Sequence, residues 1–217
     1  MGGSCSAQKT RRFANGDVYT GEYVKGLQEG KGRYNFANGA HYEGDWYHGQ
    51  QHGHGIYCYV DGDLYEGDFK SGALHGKGEL KYANGNIYVG EWVGGNQQGH
   101  GVCTYANGVT YEGGWYDGEI HGEGSMKYKD GSEYLGQFAN GSESGKGSFK
   151  LGNGDFYDGE WSMGKKHGHG VMRFASGEVY DGQWGMGEMH GKGVLKKNGN
   201  SQIKGTWDHG NLIEGGA

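Results

Sequence analysis

Proline is absent from this sequence of 217 residues, and cysteine occurs only three times. Cys5, Cys58 and Cys103 are odd in number and follow no repeated spacing, which argues against a disulfide framework and for a reducing cytosol. No hydrophobic run approaches the roughly 20 residues of a membrane span, and no apolar signal-peptide core is present. The net charge of −6 is small and does not argue for nucleic acid as a partner. We therefore expect a cytoplasmic protein.

Glycine, by contrast, accounts for 51 residues, and it recurs in register with a period of 23 residues. A glycine content this high indicates low complexity only when no period is present. One position of the repeat is tyrosine in eight successive repeats, namely Tyr19, Tyr42, Tyr65, Tyr88, Tyr111, Tyr134, Tyr157 and Tyr180, and Ile203 follows in the same position. Four residues later every repeat has an aromatic residue, and all six tryptophans lie there. Such a period marks a repeat array.

Within each repeat, large and small residues alternate. Tyr42, Gly44 and Trp46 fall on one side, while Glu43 and Asp45 fall on the other. A period of two with aromatic residues predicts a β-strand, and the second half of the repeat alternates in the same way. Each repeat is therefore predicted to contain two strands.

Both connections between these strands are too short for a crossover helix. Pairs such as Asn38-Gly39 and Asp61-Gly62 accept the positive φ angles of a tight hairpin turn, so we predict that the chain reverses there. The other reversal, from Gly49 to Gly53, is predicted to be longer. The fold class is thus all-β: a single-sheet antiparallel β-meander solenoid of 23-residue hairpin repeats, elongated and twisted.

The two faces of the predicted sheet differ in chemistry. One face is charged, and acids such as Asp45 lie opposite bases such as Lys31, so we expect cross-strand pairing on a solvated surface. The other face carries stripes of aromatic side chains. Because a single sheet does not cover both of its faces, this aromatic groove is the predicted site for a protein partner, either a helix or an extended tail.

The predicted groove residues are the tyrosines and aromatic residues of six repeats: Tyr42, Trp46, Tyr65, Phe69, Tyr88, Trp92, Tyr111, Trp115, Tyr134, Phe138, Tyr157 and Trp161. The alternative interpretation is that these rings pack against one another between repeats, and it must hold in part for all of them.

The motif Y-x-G-x-W-x-x-G-x-x-H-G-x-G with this period resembles the MORN repeat family (membrane occupation and recognition nexus). The resemblance divides the chain into an N-terminal segment, 1–12, and a repeat array, 13–217. The array contains eight full repeats from 19 to 202 and a partial ninth from 203 to 217. The family implies scaffolds and adaptors in cytoskeletal, ciliary and membrane-junction assemblies. It also implies end-to-end association, so a homodimer through the C-terminal end is a hypothesis.

The N-terminus begins Met1-Gly2-Gly3-Ser4-Cys5-Ser6, which matches a myristoylation pattern on Gly2. Cys5 lies close enough for palmitoylation, and basic residues follow within twelve positions. Two such signals hold a protein stably on a membrane, whereas one does not. Gly2 and Cys5 are therefore predicted lipidation sites. The alternative is that this short pattern is a cloning scar.

No catalytic residue, metal site or cofactor is predicted. His52 and His54, like His167 and His169, lie two residues apart, but no further ligand accompanies them, so we interpret them as turn residues of the repeat. Neither Cys58 nor Cys103 has a dedicated base. The sequence thus favours a non-enzymatic scaffold that binds a protein partner and is tethered to the cytoplasmic face of a membrane by acylation. The alternatives are a structural subunit of a cytoskeletal, ciliary or flagellar assembly and a phospholipid-binding or lipid-kinase regulatory module.

Overall fold

The computed structural model describes residues 8–199 and 201–216, and these form nineteen β-strands and no helix. The strands are β1 (Lys9–Arg12), β2 (Val18–Val24), β3 (Leu27–Asn35), β4 (His41–Tyr47), β5 (Gln50–Cys58), β6 (Leu64–Lys70), β7 (Ala73–Lys81), β8 (Ile87–Val93), β9 (Asn96–Thr104), β10 (Thr110–Tyr116), β11 (Glu119–Lys127), β12 (Glu133–Ala139), β13 (Ser142–Lys150), β14 (Phe156–Ser162), β15 (Lys165–Arg173), β16 (Val179–Gly185), β17 (Glu188–Lys196), β18 (Gln202–Asp208) and β19 (Asn211–Gly216). The described residues therefore contain no helix that could cross a membrane.

Two compact units make up the chain. The described part of the first runs to Ala106 and includes Tyr116–Gly118, and the second holds Asn107–Trp115 and the residues from Glu119 onward. In the first unit β1 to β9 pair antiparallel with their neighbours in sequence. In the second unit β11 to β19 do the same. All strands are assigned to one sheet, so the predicted all-β antiparallel meander is confirmed. Strand β1 lies within the segment 1–12 that the sequence placed outside the array.

Both connections reverse the chain, but their geometries are the opposite of those predicted. Tyr47 pairs with Gln50, so the tight two-residue turn is His48-Gly49, with φ angles of 49° and 80°. Two positive φ angles in succession are the mark of a type I′ hairpin turn. The prediction that this reversal is the longer one is wrong.

The Asn-Gly pairs lie in the longer loops. Between Asn35 of β3 and His41 of β4 the loop closes when the Phe36 N–H donates to the Ala40 carbonyl at 2.9 Å. Gly39 adopts a φ of 100°, whereas Asn38 uses its side chain to accept a hydrogen bond from the Ala40 N–H at 3.1 Å. Asparagine here stabilises the loop through its side chain, so this pair does not form a type I′ turn.

The tight hairpins from β2–β3 to β8–β9 and from β12–β13 to β18–β19 also contain a β-bulge, which explains the acid that recurs at this position of the repeat. In β4 and β5 the register shifts between Gly44 and Asp45, which leaves two residues of β5 outside the pairing. The Asp45 carboxylate accepts a hydrogen bond from the unpaired His54 N–H at 2.9 Å. Bulges leave such groups without a ladder partner, so the acid has a structural role.

Candidate partner-binding surface

The repeat tyrosines form the core, and the recurrent glycines make room for them. Tyr42 is fully buried, and its hydroxyl donates to the Asp45 carbonyl at 2.8 Å and to the His52 carbonyl at 3.2 Å. A Cβ added at Gly55 would lie 2.5 Å from Cε2 of the Tyr42 ring. Only glycine allows this close approach of ring and backbone. The Tyr–Gly pattern in the sequence is thus a packing requirement.

The aromatic residue four positions after each tyrosine links neighbouring repeats. Tyr42 packs edge-to-face against Trp46 of its own repeat, at a centroid distance of 5.3 Å, and against Phe69 of the next repeat at 4.8 Å. The Trp46 indole Nε1–H also donates to the Gly32 carbonyl of the preceding repeat at 3.0 Å. Edge-to-face rings stabilise each other beyond the apolar area that they bury. These contacts therefore couple the repeats that they join.

This packing corrects the prediction about the groove residues. None of the predicted groove rings has more than 9% of its surface exposed, and the tyrosines have 0%. The buried residues are Tyr42, Trp46, Tyr65, Phe69, Tyr88, Trp92, Tyr111, Trp115, Tyr134, Phe138, Tyr157 and Trp161. The expectation that this line stays partly open is wrong, because each tyrosine is enclosed by the glycines below it and by aromatic rings on either side.

A partly exposed aromatic surface lies beside these rings in the first unit. We define the aromatic ladder as Phe13, Tyr34, Phe36, Tyr57 and Tyr59, all of which are partly exposed. Successive rings of the ladder have centroids 5.7, 4.6, 5.8 and 4.4 Å apart and are tilted by 32° to 49°. Tyr34 and Tyr57 each pair with a repeat tyrosine across the strands, which places the ladder on the aromatic face.

The five-ring arrangement is confined to the first repeats, although both of its slots are aromatic again at Tyr128 and Phe149, whose centroids lie 5.9 Å apart. Phe36 and Tyr59 have aromatic counterparts in several repeats, but the next positions equivalent to Tyr34 and Tyr57 hold Leu80 and Cys103, which are buried. The predicted groove residues include none of the five rings of the ladder. The signal that could have identified the ladder is this departure from the repeat.

A cleft of about 370 Å³ opens on the ladder. Its walls combine aromatic rings, including Phe13, Tyr34 and Phe36, with the amide side chains of Gln28 and Gln51. The cleft thus presents apolar rings together with groups that can donate and accept hydrogen bonds, which is the composition expected of a ligand site.

The start of the ladder is fixed by a buried acid. The Tyr34 hydroxyl donates to Asp17 Oδ2 at 2.6 Å, and the Ala37 N–H donates to Asp17 Oδ1 at 2.8 Å. The hydrogen bond from Tyr34, followed by that from Ala37, lowers the pKa of Asp17. Burial and this hydrogen bond raise the pKa of Tyr34 to about 12. The Tyr34 ring is therefore held in place rather than free to rotate.

Charges of opposite sign flank the two ends of the ladder. The Arg11 guanidinium lies over the Phe13 ring, 5.0 Å from its centroid. At the other end Tyr59 shares its loop with Asp61 and Asp63, and its N–H donates to the Asp63 carbonyl at 2.9 Å. Burial first, then Tyr57 and these two carboxylates, raise the pKa of Tyr59 to about 12. The exposed charge is thus positive at the Phe13 end, where the Asp17 carboxylate is buried, and negative at the Tyr59 end.

The opposite face of the sheet carries exposed cross-strand ion pairs. Lys31 Nζ lies 2.7 Å from Asp45 Oδ1, and Arg33 Nη1 lies 3.0 Å from Glu43 Oε2. Exposed pairs of this kind contribute about 0–1 kcal/mol each. The part of the chain that the structure describes holds no group of three or more His, Cys, Asp or Glu residues arranged to bind a metal ion. The predicted lipidation sites, Gly2 and Cys5, lie outside the described residues.

These features define a protein built of repeated β-hairpins around buried tyrosines. The family model for the MORN repeat matches eight consecutive segments, 19–41, 42–64, 65–87, 88–110, 111–133, 134–156, 157–179 and 180–201. The chain therefore belongs to the MORN repeat family. None of the curated proteins compared with it matches.

Two solved structures share its fold at low sequence identity. The TCP10 domain of Danio rerio CPAP is 11% identical, with 96% of this chain and 99% of that chain covered at a TM-score of 0.51. The same domain in complex with a peptide of Danio rerio STIL is 11% identical, with 97% and 99% covered at a TM-score of 0.52. At this level of identity the likeness shows the fold alone.

Proposed function

We propose that this protein is a non-catalytic scaffold that binds a segment of a partner protein on its aromatic ladder. The observation that carries the proposal is the row of five partly exposed rings with a cleft beside it. Exposed apolar stripes mark interaction surfaces, and aromatic side chains are the usual anchors of interfaces. The similar CPAP domain, whose structure contains a peptide of STIL, supports a peptide as the form of the ligand.

Two further observations support a non-catalytic role. Burial raises the pKa of the Cys103 thiol, which keeps this cysteine in its protonated, weakly nucleophilic form. The acids that recur beside the aromatic slot, such as Asp45, are engaged with bulge N–H groups. These residues act in building the repeat.

The test is affinity capture from cell extract with the wild-type chain and the double variant Phe36→Ser, Tyr59→Ser. We expect the variant to lose the partner, because both rings leave the ladder while the buried tyrosines stay. Tyr47→Ser is the matched control, since Tyr47 is 52% exposed and follows Trp46 on the opposite side of β4. Circular dichroism checks that all three proteins fold. Undiminished capture by the double variant would refute the proposal.

We further propose that acylation of Gly2 and Cys5 tethers this scaffold to the cytoplasmic face of a membrane. The support is the sequence pattern alone, and a cytoskeletal, ciliary or flagellar building block is the competing proposal. Fractionation of cells expressing the tagged protein beside Gly2→Ala separates the two. Release of Gly2→Ala into the cytosol supports the tether. Retention of both forms in a detergent-resistant pellet supports the cytoskeletal alternative.

A further inference from the structure

A segment that binds along the aromatic ladder must present side chains with the same spacing as the rings. Phe13, Phe36 and Tyr59 occupy equivalent positions in successive repeats, and two strand spacings separate neighbours, which is about 9.6 Å. A polyproline II helix brings the same side back every three residues, or about 9.3 Å. An extended β-strand does so every two residues, or about 6.8 Å, which does not match. An α-helix returns to the same side after two full turns, or about 10.8 Å. Over the two intervals from Phe13 to Tyr59, its side chains would therefore fall about 2 Å out of register with the rings.

The polar groups of the cleft favour the same conformation. A polyproline II helix has no internal hydrogen bonds, so all of its carbonyl groups are free to accept. The amides of Gln28 and Gln51 line the cleft beside the rings and can supply donors. In an α-helix the carbonyl groups already accept hydrogen bonds within the helix, so they would not accept hydrogen bonds from these amides. Rings tilted by 32° to 49° also present faces against which proline rings can pack.

The charges at the two ends limit the composition of the ligand. Arg11 lies at the Phe13 end, and Asp61 and Asp63 lie at the Tyr59 end. Four strand spacings separate these ends, about 19 Å, which about six residues of polyproline II span. A complementary ligand therefore carries an acidic residue at one end of this span and a basic residue at the other.

We propose that the aromatic ladder binds a proline-rich segment of the partner in the polyproline II conformation, with prolines at every third position facing Phe13, Phe36 and Tyr59. An acidic residue of the segment lies toward Arg11 and a basic residue toward Asp61. This inference rests on the proposed function, because it names the chemistry of the partner at the same surface.

The test uses synthetic peptides and the full chain. A fluorescein-labelled peptide of about nine residues has proline at two of every three positions, with aspartate at one end and arginine at the other, and is made in both chain directions. The control peptide replaces every proline by glycine. By fluorescence anisotropy we expect one direction to bind about tenfold more tightly than its glycine control. Equal affinity of proline and glycine peptides overturns the proposal.

Two variants show where the peptide binds. The double variant Phe36→Ser, Tyr59→Ser should lose the preference for proline. Arg11→Glu leaves an exposed strand intact and should prefer a peptide with arginine in place of aspartate. Tyr47→Ser should bind as the wild type does. Binding that none of the ladder variants changes overturns the proposal.

The outcome of affinity capture separates this inference from the proposed function. Capture of the partner can depend on Phe36 and Tyr59 while the bound segment, mapped by cross-linking, is helical or lacks proline. In that case the scaffold function is supported and the polyproline II ligand is refuted. If capture does not depend on the ladder, both are refuted.

Discussion

At the scale of single residues, the glycines that face the buried tyrosines are the strictest requirement of the repeat. Gly55→Ala places a Cβ 2.5 Å from the Tyr42 ring and its hydroxyl. We expect a loss of about 3 kcal/mol in the free energy of unfolding, because the core is already close-packed. The measurement is urea unfolding followed by tryptophan fluorescence.

Gly72→Ala is the matched control for this prediction. Its Cβ would have nothing within 4 Å, and its cost comes only from the φ of 84°. That strain amounts to about 1–2 kcal/mol. An equal loss in the two variants would show that the close approach to Tyr42 is unimportant.

Which residues form the core could be predicted from the sequence, but how deeply they lie could not. Period-two alternation places Tyr42 and Trp46 on one face, and the structure agrees. Whether a ring on that face is covered depends on its neighbours in other repeats, such as Phe69 over Tyr42. The alternation carries no information about such contacts, and the ladder at Tyr34 and Tyr57 was therefore missed.

At the scale of the hairpin, the tight turns of the second unit contain residues in an unfavourable backbone conformation. Met163 has a φ of 49° and is 86% exposed, so nothing that it contacts requires its side chain. A left-handed conformation costs a residue with a Cβ about 1–2 kcal/mol, which glycine avoids. We therefore expect Met163→Gly to raise the free energy of unfolding by about 1 kcal/mol.

The control for this hairpin is Lys165→Gly. Lys165 pairs with Ser162 beside the turn, in regular strand conformation. Glycine there should lower the free energy of unfolding by about 0.5–1 kcal/mol. Stabilisation by both changes, or by neither, in thermal unfolding would contradict the assigned turn geometry.

The turns also show why both chain reversals could be predicted from the sequence, whereas the tight turn and the longer loop were assigned to the wrong positions. Asn-Gly is the strongest short-range signal for a type I′ turn, and it occurs between repeats. The hairpin register instead places that turn at His48-Gly49, because the bulge at Asp45 shifts the pairing. A side-chain hydrogen bond such as the one that Asn38 Oδ1 accepts from the Ala40 N–H competes with the backbone preference, and local sequence does not reveal which one prevails.

At the scale of the whole molecule, the repeated tyrosines predict sensitivity to alkali. Burial, as the largest cause, raises the pKa of seven of them above the ordinary value: Tyr19, Tyr42, Tyr65, Tyr88, Tyr134, Tyr157 and Tyr180. In the unfolded chain these hydroxyls ionise near pH 10. Above that pH the unfolded chain binds fewer protons than the folded chain, so stability falls as the pH rises.

Because the tyrosine recurs in eight repeats, the individual contributions add. Each tyrosine that stays protonated in the folded state lowers the free energy of unfolding by about 1.4 kcal/mol per pH unit above 10. We expect the urea midpoint to be nearly constant from pH 8 to 9.5 and to fall steeply by pH 11. Tyr65→Phe should make this fall shallower, since it removes one ionisable core group, whereas Tyr47→Phe, at an exposed position, should leave the slope as it is. A midpoint that does not change up to pH 11 would mean that the tyrosine hydroxyls are not held protonated in the folded core.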